Sequence, residues 1–160
     1  MLQIRRAIAR DVPAILGLVK DLARYEREPD AVVATEADYL RDGFGPAPRF
    51  AVEIAEWDGE VVGFALWFHS WSTWRGRPGL HLEDLFVRPA ARGRGIGKAL
   101  LAYLARRALD EGCARFEWQV LDWNEPARRF YEGLGASALP EWVTMRVEGE
   151  ALERLARGAG

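Results

Sequence analysis

Seven consecutive residues, Arg92-Gly93-Arg94-Gly95-Ile96-Gly97-Lys98, carry the clearest chemical signal in this chain. They follow an apolar run, Leu80 to Val87, and open a helical pattern that continues through Leu109. A strand, a glycine turn and a helix in that order aim unpaired backbone N–H groups and a helix dipole at one point, which suits a phosphate. Glycine lets the backbone approach an anion closely and adopt positive φ. Basic side chains flank the turn, so a pyrophosphate suits it better than a neutral ligand.

Spacing excludes two commoner phosphate loops. The dinucleotide fingerprint G-x-G-x-x-G starts at Gly93 and Gly95 but meets Lys98 where its third glycine must stand. The P-loop needs glycine at Arg92 and serine or threonine at Ala99. What remains is Arg-x-x-Gly-x-Gly over Arg92, Gly95 and Gly97.

The elements that must hold this turn are readable from pattern. Asp11 reads as an N-cap, with Pro13 in the first turn and Val12, Ile15, Leu16, Val19 and Leu22 at helical spacing. Thr35-Glu36-Ala37-Asp38 reads as a capping-box variant opening a helix that stops at Gly43. Phe50 to Trp57 and Val61 to Phe68 flank a hairpin turn at Asp58-Gly59. Ser70 to Gly79 reads as an irregular loop, and Leu80 to Val87 as a third strand. After the glycine turn comes an amphipathic helix with Leu100, Leu101, Leu104 and Ala108 inward. Arg115 to Leu121 reads as a strand with Phe116, Trp118 and Val120 on one face. Asn124 caps a further helix, with Pro126 near its start and Gly135 at its end. Val143 to Val147 reads as a last strand, and residues 149–160 as a frayed tail. Early hairpins followed by strand–helix alternation imply a mixed α/β sheet.

Composition narrows the function classes. At 160 residues the chain has the length of one domain. A net charge of −2 argues against nucleic acid, which calls for a basic face. One cysteine, Cys113, forms no internal disulfide and fits a reducing cytoplasm. There is no signal peptide pattern and no membrane-spanning apolar run. His69 and His81 show no metal-ligand spacing with Cys113 or with each other, so no metal is expected.

The Arg-x-x-Gly-x-Gly turn resembles the acetyl-CoA loop of the GCN5-related N-acetyltransferases. Leu82-Glu83-Asp84-Leu85-Phe86-Val87 before it, and Asn124-Glu125-Pro126-Ala127-Arg128-Arg129-Phe130-Tyr131 with Gly133 and Gly135 after it, are similar to that superfamily's core. Tyr25-Glu26, Glu36, Asp42-Gly43-Phe44-Gly45, Glu83-Asp84 and Trp123-Asn124-Glu125-Pro126 resemble the diamine (spermidine/spermine-type) acetyltransferases. Ser72-Thr73-Trp74-Arg75-Gly76-Arg77 and Leu121-Asp122-Trp123-Asn124 are closer still to the thialysine-acetylating branch. The resemblance covers nearly the whole chain and falls away after about Leu139. It implies a mostly antiparallel central sheet flanked by helices, with a strand pair splayed at the acetyl-CoA site. It also implies a homodimer.

The reaction so implied is attack of a primary amine on the thioester of acetyl-CoA, with no acetyl-cysteine step. By resemblance, Leu85, Phe86 and Val87, the Arg92 to Lys98 turn, Asn124, Ala127 and Tyr131 hold the cofactor. The amine must be neutral to attack. With a lysine-like pKa near 10.4, about one molecule in a few thousand is neutral at pH 7, a penalty of roughly 4–5 kcal/mol. Glu83 is the candidate to take that proton, directly or through water. Asp84 points to the opposite face if the strand is regular, and reaches substrate only through a bulge or a partner subunit. Tyr131 matches the family's general acid for the leaving thiolate. A phenol near 10 against a thiol near 8.5 makes that transfer uphill by roughly 2 kcal/mol, so hydrogen bonding precedes donation. Tyr25, Glu26 and Trp74 match the family's substrate channel, where acidic and aromatic groups suit an ammonium. Ser72-Thr73 stands where the diamine enzymes carry Asp-Pro, which favours a shorter, lysine-like amine over a polyamine. Rival readings are acetylation of protein lysine or an antibiotic amine, a non-catalytic acyl-CoA sensor, and a nucleotide-binding regulator.

Overall fold

Leu2 and Ile4 alternate with Gln3 and Arg5, and in the computed structural model, which describes residues 1–158, this stretch is strand β1 (Leu2–Arg6). Patterning alone assigns nothing here, because five residues become a strand only when another strand pairs with them. Arg5 then redirects Asp11. Its guanidinium grips both carboxylate oxygens, at 2.8 and 3.0 Å, and also reaches Glu56 at 2.6 Å. Asp11 accepts the Ile8 N–H at 2.8 Å and makes no cap bond to the following helix. The same arginine holds the Asp11 carboxyl below its ordinary range.

Helix α1 (Val12–Tyr25) buries Val12, Ile15, Leu16, Leu18 and Leu22, the spacing expected of an amphipathic helix. Each such aliphatic side chain contributes about 1.5–3 kcal/mol when removed from water. The helix ends where Arg27 turns left-handed (φ 66°), and Glu28 N–H bonds the Ala23 carbonyl. Helix α2 (Glu36–Gly43) begins at the anticipated box: Thr35 Oγ1 accepts Asp38 N–H, and Asp38 accepts Thr35 N–H.

Strands β2 (Ala51–Trp57) and β3 (Glu60–Ser72) join through Asp58 and Gly59, both with positive φ as a primed hairpin turn requires. Strand β4 (Arg77–Val87) returns against β3. Ser70–Gly79 is therefore not the irregular loop expected. Ser70, Trp71 and Ser72 pair with Gly79, Pro78 and Arg77, leaving a tip of four residues. Two strands already in register extend each other past glycine and proline. Helix α3 (Ile96–Asp110) buries Leu100, Leu101, Leu104 and Ala108, and leads to β5 (Phe116–Trp118).

The sheet order is β1-β2-β3-β4-β5, antiparallel except for the parallel β4–β5 pair. The α/β class, with a mostly antiparallel sheet flanked by helices, is as expected. Helix α1 packs on β3 and β4 over a core of Ile15, Leu18, Leu22, Val52, Ile54, Phe64, Leu66 and Phe86. Helix α3 contacts β1 to β4. Beneath it Glu53 is fully buried, paired with Arg6 (3.0 Å) and Trp67 Nε1 (3.3 Å).

These elements form one compact unit, Met1–Gln119, and a second begins at Val120. The strand expected over Arg115 to Leu121 stops at Trp118, so Val120 is outside it. The second unit holds α4 (Glu125–Gly133) and α5 (Gly149–Ala156). A helix thus occupies most of the stretch read as a frayed tail, whose last two residues lie outside those described. Val143 to Val147 is no strand among the described residues. Alternation supplies a face, but a strand needs a neighbour's hydrogen bonds.

Candidate active site

The glycine turn has the geometry its sequence requires. Pro89–Ala91 forms a short 3-10 turn, Gly93 and Gly95 follow with φ of 77° and 74°, and Gly95 is the left-handed N-cap of α3. No atom lies within 4 Å of a side chain built at either glycine, so conformation rather than crowding demands them. The first intrahelical bond runs from Ala99 N–H to the Gly95 carbonyl. The N–H groups of Ile96, Gly97 and Lys98 precede it and have no partner within the helix. Lys98 and Arg94 are exposed.

The flanking arginines do more than add charge. Arg92 Nε donates to the Val87 carbonyl at 3.0 Å, and its guanidinium lies 5.0 Å from the Tyr25 ring and 5.4 Å from that of Phe86. It clamps the end of β4 to the end of α1. The Arg94 guanidinium sits 4.8 Å from the Trp57 ring.

Strand β5 accompanies β4 only at Leu80, His81 and Leu82. From Glu83 through Leu85, Phe86 and Val87, β4 has no strand partner on that side among the described residues. An extended ligand arm can pair with such an edge by β-augmentation. Only Arg88 and the Pro89–Ala91 turn separate this edge from the glycine turn.

Strand β4 also carries a bulge, the irregularity by which Asp84 can join Glu83. Phe68 pairs with His81 and Leu66 with Asp84, so three residues of β4 span what two span on β3. Phe68 and Leu66 share a face of β3. Glu83 and Asp84 therefore turn to the same face of the sheet, the α1 side, and not to opposite faces. Their environments differ. Glu83 is exposed, its Oε2 3.7 Å from His81 Nε2. Asp84 is half-buried, and its carboxyl is pushed up to about 6, first by burial and then by the charges of Glu83 and Glu26. Burial also raises Glu26, at the C-cap of α1. The phenol of Tyr39, a half-buried α2 residue, is raised by burial and by Asp84. Sequence reading missed Tyr39, whose only signal is an aromatic residue on the inner side of a polar helix.

Of the residues assigned to substrate, Glu26, Glu83 and Asp84 share one electrostatic neighbourhood, and Tyr25 stacks on Arg92. Trp74 stands apart on the β3–β4 tip, 92% exposed. Ser72, buried beside it, accepts the Arg75 N–H on its Oγ at 3.1 Å.

In the second unit Asn124 is the N-cap of α4, its Oδ1 accepting Ala127 N–H at 3.4 Å. Tyr131 is half-buried one turn further along, its ring 5.4 Å from that of Phe130. Gly135 closes the helix with φ of 98°.

Comparison with known proteins agrees with this geometry. Residues 15–136 match the acetyltransferase (GNAT) family. The chain is 42% identical to a thialysine N-epsilon-acetyltransferase of Bos taurus, over 96% of each protein. It is 38% identical to the human spermidine/spermine N(1)-acetyltransferase-like protein 1, over 94% of this chain and 23% of that one. Among solved structures, an integron cassette protein from the mobile metagenome of V. cholerae superposes with a TM-score of 0.83 at 31% identity, covering 98% of both chains.

Proposed function

Because the chain belongs to the acetyltransferase (GNAT) family, we propose that it transfers acetyl from acetyl-CoA to the primary amine of a small, lysine-like molecule. The observation that carries this reading is the β4 edge from Glu83 to Val87, unpaired by β5 and continuous with a glycine turn at a helix start. The residues present fit acetyl-CoA. Open space and positive φ at Gly93 and Gly95 leave the backbone accessible to a pyrophosphate, and the β4 edge suits a pantetheine arm. When bound, acetyl-CoA supplies an acetyl group activated as a thioester.

The chain's own groups then divide the work. Backbone N–H groups of Ile96, Gly97 and Lys98 hold the diphosphate. Backbone groups of Leu85, Phe86 and Val87 would orient the arm and would offer N–H donors to the thioester carbonyl oxygen. Asn124 and Ala127 assist by family resemblance. Three carboxylates, Glu26, Glu83 and Asp84, repel one another until an ammonium enters. Asp84 and Glu83 take the amine proton. A carboxyl near 6 remains ionised at pH 7.5 yet holds a proton better than an ordinary aspartate. By family resemblance, Tyr131 would supply the proton to the leaving sulfur. Tyr25 lines the amine path, and Trp74 meets substrate only if the hairpin tip folds over it.

The thialysine enzyme is the relative that guides the substrate class, and Ser72-Thr73 agrees with it. We place the enzyme in the cytoplasm as one acetyltransferase domain working as a homodimer, without nucleic-acid or membrane partners. No helix among the described residues is long and apolar enough to cross a membrane. The deciding experiment measures free-CoA release with thialysine, lysine, putrescine, spermidine, spermine and a lysine peptide. Turnover concentrated on thialysine or lysine supports the assignment. Preference for spermidine moves it to the polyamines, and acetyl-CoA binding without turnover on any amine supports an acyl-CoA sensor.

A further inference from the structure

We propose that His69, Glu111 and Cys113 form a binding site for one borderline transition cation, with Zn²⁺ as its representative. The three come from two separate places: His69 from β3, and Glu111 and Cys113 from the turn that follows α3. Their ligand atoms nevertheless all lie within 4.8 Å of one another. No spacing rule finds such a set, because 42 residues separate His69 from Glu111. The expectation of no metal rested on spacing alone.

The local fold holds the set in place. Gly112 turns left-handed (φ 71°), and Cys113 N–H bonds back to the Ala108 carbonyl at 2.8 Å. This cap folds Cys113 back beside Glu111. Ala114 N–H bonds the Pro78 carbonyl at 2.9 Å and ties the turn to β4. Glu111 is oriented from one side, with Arg107 Nη1 on Oε1 at 3.1 Å and His69 Nε2 on Oε2 at 2.6 Å. The His69 ring stands edge-on to Trp67, 5.1 Å between centroids. Arg107 thus orients the carboxylate, and the Trp67 ring limits where the imidazole can turn.

Chemistry and distance agree. Imidazole nitrogen, carboxylate oxygen and thiolate sulfur are a zinc donor set, with bonds of about 2.0–2.3 Å. Tetrahedral geometry then separates ligand atoms by roughly 3.3–3.6 Å. The Nε2···Oε2 pair must open slightly and the sulfur close in, movements within reach of partly exposed side chains. On binding, the Cys113 thiol gives its proton to solvent, and thiolate and carboxylate neutralise the 2+ charge. His69 and Glu111, though not Cys113, line a cleft of about 440 Å³ with room for water as a fourth ligand.

The test is cobalt(II) titration of the purified 160-residue protein. Cys113 is the only cysteine, so a thiolate-to-cobalt charge-transfer band reports this site alone. One equivalent per chain should produce the band, and zinc should displace it. His69→Ala and Glu111→Gln should weaken binding about tenfold or more. Cys113→Ser should abolish the band, and His81→Ala should leave it unchanged. Circular dichroism of each variant identifies loss of fold. Absence of the band at saturating cobalt, or a band of equal affinity in folded His69→Ala and Glu111→Gln proteins, overturns the proposal.

Discussion

Asp84 of β4 lies opposite Leu66 of β3, while Leu82, two residues earlier, lies opposite Trp67, the neighbour of Leu66. The single extra residue turns Glu83 and Asp84 to one face, above the splayed edge of β4. A regular strand would have sent one of them to the α3 side. Carboxylates crowded in this way are costly to ionise and suited to meeting a cation.

That crowding links activity and stability at Asp84. Folding raises its pKa to about 6 from 3.8, so the folded protein binds the proton more tightly than the unfolded chain. Stability therefore falls as pH rises from about 4 to 6, and the penalty persists above that range. The ceiling is about 3 kcal/mol, and solvent near a half-exposed cluster reduces it to roughly 1–2. Asp84→Asn should raise Tm at pH 7.5, with the gain shrinking toward pH 4, while lowering kcat/KM. Thermal melts across pH check this. A gain independent of pH would show that Asp84 does not carry the strain.

Glu83 is separable by its pH profile. A relay matters most where the amine is most protonated. Glu83→Gln should lose more kcat/KM at pH 6.5 than at pH 9. Equal loss at both pH values assigns Glu83 to positioning rather than proton transfer.

Tyr131→Phe deletes one hydroxyl and keeps the ring beside Phe130. As general acid, its loss should lower kcat about 100-fold or more with acetyl-CoA affinity little changed. Stopped-flow turnover with calorimetric acetyl-CoA binding separates the two. Unimpaired kcat removes Tyr131 from the chemistry.

Gly95→Ala places a side chain at φ 74°, at a cost of about 1–2 kcal/mol. Acetyl-CoA KM should rise and Tm fall, with Gly95→Asn milder because asparagine tolerates this region. An unchanged KM for acetyl-CoA would mean that the turn does not hold the cofactor.

The sequence by itself determined what local chemistry decides. Gly93 and Gly95 announce positive φ, Thr35 and Asp38 announce a capping box, Asp58-Gly59 a primed turn, and Asn124 a helix start. Each depends on atoms a few residues apart, so composition and spacing contain the answer. Family resemblance added the acetyl-CoA assignment on those same residues.

Tertiary structure decided what depends on register and on partners distant in sequence. Leu2–Arg6 is a strand because β2 lies beside it, and Ser70 to Gly79 is a hairpin because the strands below it are already aligned. The bulge at Glu83 is an offset between two strands and leaves no mark on either one. The meeting of His69 with Glu111 and Cys113 has the same origin, since sheet position and helix length together set their separation. Asp84 is an ordinary aspartate in the sequence; burial and two neighbouring carboxylates push its carboxyl up to about 6.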